Sequence, residues 1–128
     1  MPDIRLALRG FARDCDGAVA VEFVIILAPL LLFLLGTLDV GLAVSAKTRI
    51  SFAVEAAAKC GALNMAVCST ASAIAAYGAS AAGLPGLDAS GFAVTTVACG
   101  VNVTATYTYT GTVMPAMTLG ASACYPAG

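Results

Sequence analysis

A chain of 128 residues holds one small domain. Charged side chains make up 10% of it, against roughly a quarter in ordinary soluble domains, and a net charge of −1 offers no basic field for nucleic acid. Histidine is absent, and no G-x-S-x-G elbow, S-x-x-K or phosphate loop occurs, so the sequence predicts no catalytic residue, no metal site and no cofactor.

The few charges are unevenly placed. Six lie in the first 16 residues, and beyond Lys59 only Asp88 remains. The opening segment carries Arg5, Arg9 and Arg13, which favour a cytoplasmic N-terminus, although Lys47 and Arg49 beyond the apolar run weaken that signal. The run itself, Ala18 to Leu38, reads AVAVEFVIILAPLLLFLLGTL. As a helix it extends about 31 Å, enough for a hydrocarbon core of about 30 Å. Pro29 removes one backbone donor within it, which membrane helices tolerate where neighbours compensate.

Glu22 is the one charge inside that run. A carboxylate in a spanning helix costs about 2.5–3.5 kcal/mol on insertion scales, and less near an interface, where it also favours the positive end of the helix dipole. Its neighbours point further. Gly17-Ala18-Val19-Ala20-Val21-Glu22-Phe23 resembles a prepilin processing site: glycine before the cut, a small apolar first residue, glutamate at the fifth mature position, then an aromatic. With Ala28-Pro29-Leu30, with Leu35-Gly36-Thr37-Leu38-Asp39-Val40-Gly41, and with the alanine-rich Glu55-Ala56-Ala57-Ala58-Lys59-Cys60-Gly61, the segment is similar to the TadE-like family of tight-adherence pili. It departs from that pattern at Ala28, before the proline, and at Leu42, where the family often has arginine.

The resemblance implies a leader of residues 1–17, cut between Gly17 and Ala18 by a prepilin peptidase, and assembly with other pilins and the pilus machinery of a type IVb-like pilus. It implies a single pass through the bacterial inner membrane with the head exported. Glu22 and Phe23 would then act in assembly. Cleavage leaves an α-amino group on Ala18, and two unit charges about 4 Å apart attract by about 4 kcal/mol at an effective dielectric near 20. That is enough to set the register between neighbouring helices.

From Gly41 the helical pattern continues. Leu42, Ala46, Ile50, Ala53, Val54 and Ala57 form an apolar stripe, and the helix is expected to end at Cys60-Gly61 with Gly61 as its cap. Ser69-Thr70 then offers an N-cap for a second, alanine-rich helix to Ala82, closed by Gly83 and Pro85. After Gly91 the period becomes two. Val101, Val103, Ala105, Tyr107 and Tyr109 alternate with Asn102, Thr104, Thr106, Thr108 and Thr110, a half-buried strand with threonines outward. Phe92 to Ala98 and Met117 to Cys124 are expected as shorter strands. The fold class is α+β and pilin-like: a long N-terminal helix over residues 18–60, then a head of residues 61–128 with one short helix and about three antiparallel strands.

Cys15 falls in the leader and leaves four mature cysteines, which allow three connectivities. Pairing in chain order, Cys60 with Cys68 and Cys99 with Cys124, is favoured. On one straight helix the first two Cα atoms would lie about 12 Å apart, beyond the ~7 Å reach of a disulfide, so that pair needs a break, expected at Gly61. Disulfides imply an oxidising compartment and hence an exported head. A rival assignment uses Val44-Ser45-Ala46 as a signal-peptidase site, with cleavage near Ala46 releasing a small secreted binding domain. Uncleaved, the chain would be a membrane-tethered binding domain. The apolar region is longer than a usual signal core, which favours the pilin-like alternative.

Overall fold

The computed structural model describes residues 15–127, with side chains described from Gly17. The expected leader therefore lies almost wholly outside the described residues. The elements in order are α1 (Cys15–Leu63), α2 (Ala71–Ala82), a 3-10 turn at Ala89–Gly91, β1 (Phe92–Val97), β2 (Gly100–Tyr109) and β3 (Met117–Tyr125). The chain divides into two compact units, Met1–Leu38 and Asp39–Gly128.

In the first unit α1 is apolar all round. Among its described residues the large side chains are exposed, from 41% at Leu35 to 70% at Phe33, except Leu27, which is half-buried, and none is buried in a core. Helical structure continues through Pro29. Among the described residues α1 is the one helix long and apolar enough to cross a membrane, with a mean hydropathy of 2.8 in its most apolar window.

In the second unit the rest of α1 packs with α2 and the sheet. Asp39, Ala43, Ala46, Ile50, Ala53, Val54, Ala57, Ala58, Cys60 and Gly61 are its buried positions, a stripe at helical spacing. The expected stripe began at Leu42, but Leu42 is 60% exposed and Ala43 takes the inward position. The reason is phase. Leu42 lies eight residues, or roughly 80° of helix rotation, from Ile50, whereas Ala43 lies seven away and stays on its face. Small residues then let the elements approach closely. A Cβ at Gly61 would lie 2.6 Å from Ile74 Cδ1, and one at Gly78 would lie 2.8 Å from Phe92 Cε1. Gly61 is thus a contact glycine inside α1. The helix ends two residues beyond it, at Leu63, rather than at the Gly61 cap expected from sequence.

α2 has the expected ends. Thr70 Oγ1 accepts from the Ala73 N–H at 3.2 Å, and Gly83, at φ 57, donates its N–H to Ala79 O. The sheet has the order β1-β2-β3, all antiparallel. Phe92 pairs with Ala105, Val101 with Tyr125, and Tyr109 with Met117. Gly100, at φ 122, makes the tight β1–β2 turn that a residue with a Cβ would strain. Val103 and Ala105 face the core, while Thr106 and Thr108 face outward.

Candidate functional site

Gly17, Ala18, Glu22 and Phe23 all lie on α1. Gly17 is half-buried, and the residues from Ala18 to Phe23 are exposed, Phe23 by 63%. Ala18 and Glu22 are four apart, so their side chains share one helix face.

The cysteines come together in pairs. Cys60 is bonded to Cys68 with a Cα separation of 5.7 Å, and Cys99 to Cys124 at 6.3 Å. The break that the first pair needs comes after Leu63. Asn64 N–H still donates to Cys60 O at 2.9 Å, and the chain then turns so that Cys68 N–H donates to Asn64 O at 2.9 Å. The two bonds differ in setting. Cys60 and Cys68 belong to the core, whereas Cys99 and Cys124 are exposed on the sheet.

A third constellation escaped the sequence. Asp39, 3% exposed, holds the connection between β2 and β3. Its Oδ1 accepts the Thr112 N–H at 3.1 Å; its Oδ2 accepts the N–H groups of Val113 at 2.6 Å and Met114 at 3.1 Å. These bonds, led by Val113, hold the carboxyl below its ordinary value. Tyr109 Oη donates to the Asp39 carbonyl at 3.3 Å, and desolvation, with the Asp39 charge, pushes the phenol up. Gly111 leaves room for the cradle, since a Cβ there would lie 2.8 Å from Asp39 Oδ2. The available signals were an acid closing the apolar run and a glycine between threonines, more than seventy residues apart. A smaller version occurs at Asp88, whose Oδ1 accepts from both the hydroxyl and the N–H of Ser90 and is likewise held low.

Among the described residues no three His, Cys, Asp or Glu side chains cluster to hold a metal. The described fold is α+β: one helix long and apolar enough to cross a membrane, a short second helix and a three-stranded antiparallel sheet. Residues 17–59 match the family described as TadE-like protein. No curated protein and no solved structure matches the chain.

Proposed function

We propose that the protein is a non-enzymatic pilin-like subunit of a tight-adherence, type IVb-like pilus. A prepilin peptidase removes residues 1–17, residues 18–38 hold the product in the inner membrane, and Glu22 guides its entry among other pilins. The head is exported, where its disulfides are stable. The observation that carries this reading is the TadE-like match over residues 17–59, which includes Gly17, Ala18 and Glu22.

The released-domain alternative finds less support. Ala46 is 5% exposed and lies inside α1, where a peptidase would have to unwind helix and core to reach it. The mature N-terminus tests the proposal. Intact-mass analysis of membrane-extracted protein is expected to give a chain starting at Ala18, and Gly17→Leu to leave a product heavier by the leader. A start at Lys47 would establish a released domain, and one at Met1 or Pro2 an uncleaved tether.

A further inference from the structure

The Asp39 cradle ties a particular piece of the head to a particular place in the chain. Asp39 directly follows Leu38, the last residue of the apolar run, so their Cα atoms are about 3.8 Å apart. The connection it holds, Thr110 to Ala116, reads TGTVMPA and carries no charge. Val113 at its tip is 46% exposed. Beside it, Val40, Ala43, Val44, Lys47, Thr48, Met114, Met117 and Leu119 line an open groove of about 320 Å³. Val40 and Val44 are 50% and 60% exposed, so the groove is a genuinely uncovered apolar surface.

We propose that this loop and groove form a second lipid contact, seated in the headgroup zone of the membrane that residues 18–38 span. The inference rests on that membrane reading, and three observations carry it. The groove begins at the residue after Asp39, continuous in the chain with the spanning run. The headgroup zone adds roughly 5–8 Å on each side of the hydrocarbon core, which covers the helix rise from Asp39 to about Val44. The next charge along α1 is Lys47, about 12 Å of rise from Asp39, and its Nζ donates to Gly120 O. The cradle also removes the obstacle to such a location. A bare carboxylate would resist leaving water, but three N–H donors already solvate Asp39. Apolar residues with one uncharged polar neighbour, and a cation at the water side, suit the boundary between acyl chains and headgroups.

The chain contains no tryptophan, so one introduced indole reports alone. The full chain would be reconstituted in phosphatidylcholine vesicles as three single variants. Val113→Trp tests the loop, and Phe33→Trp marks the spanning run. Val97→Trp is the control, being 47% exposed and about 30 Å along the sheet from the loop end. The expected result is blue-shifted emission at Val113→Trp, quenched by lipids brominated near the headgroup, with Val97→Trp quenched only by aqueous iodide. Quenching of Phe33→Trp by lipid while Val113→Trp behaves like Val97→Trp would overturn this inference and leave the membrane reading standing. Loss of lipid quenching at Phe33→Trp would overturn both. A blue shift at Val113→Trp that disappears as the protein is diluted into excess lipid would assign the groove to a second copy and refute the lipid contact. Val44→Trp, on the helix surface of the same groove, gives the same readout where the loop does not accept an indole.

Discussion

Removing the two disulfides one at a time should separate loop entropy from burial. Cys60–Cys68 spans a separation of 8 residues and Cys99–Cys124 one of 25. Loop-closure entropy alone then assigns about 2.5 kcal/mol to the first and about 3.5 kcal/mol to the second. Burial reverses the order. Cys68 is 1% exposed and Cys60 9%, both inside the core, so alanine there also empties two packed sulfur sites at about 1 kcal/mol each. The expected losses are about 4.5 kcal/mol for Cys60→Ala with Cys68→Ala and about 3.5 kcal/mol for the other pair. In a head of this size either loss lowers the melting temperature by at least about 14 °C. Calorimetry of the full chain in micelles reads both, under non-reducing conditions. A second assay uses the wild type. With a water-soluble phosphine and no denaturant, the exposed Cys99–Cys124 bond should open and become alkylated first, while Cys60–Cys68 waits for unfolding. Earlier opening of Cys60–Cys68, or a smaller loss from its removal, would refute the reasoning.

Two further outcomes are expected. Glu22→Gln should keep normal membrane levels and normal cleavage but be depleted from sheared surface filaments, because the Ala18 amine of a neighbour loses its ionic partner; equal recovery in filaments would reduce Glu22 to an interfacial charge. The Asp39 cradle should be pH-sensitive only in acid. Its folded-state value lies below the ordinary 3.8, so its contribution is complete above that value and is lost as pH falls through the lower one. Amide exchange at Thr112, Val113 and Met114, corrected for intrinsic rates, should stay protected down to about pH 4 and fail below it, and Asp39→Asn should weaken protection at every pH. Loss of protection between pH 7 and 5 in the wild type would contradict this.

Features with local causes were legible in the sequence. Thr70 and Gly83 bound α2 because capping is decided by the residue itself and its nearest turn. The alternation from Val101 to Tyr109 marked β2 because one face of the sheet is buried and the other is not. Chain-order pairing of the cysteines is what the structure shows, although the helix break that permits Cys60–Cys68 sits past Leu63. Features with tertiary causes were not legible. Gly61 looked like a cap because glycine usually ends helices, but its neighbour is Ile74, thirteen residues on and in another helix. Asp39 looked like the end of a hydrophobic run, and nothing local announces that its partners are Thr112 to Met114. The Ala43 phase differs from Leu42 by a single residue, a distinction hydrophobicity cannot make when both are apolar.

The threonine face of the sheet has a consequence for where the head can work. No Asp, Glu, Lys, Arg or His follows Asp88, so every strand presents hydroxyls where most proteins present charges. Contacts made by charged surfaces strengthen in dilute media and fade in brine, because dissolved ions screen them over a length set by their concentration. A hydroxyl surface has no such dependence. The threonine and serine hydroxyls of that face have no charge to gain or lose between mild acid and neutrality. Whatever touches this face should hold about as firmly in fresh water as in salt, and in mild acid as at neutrality.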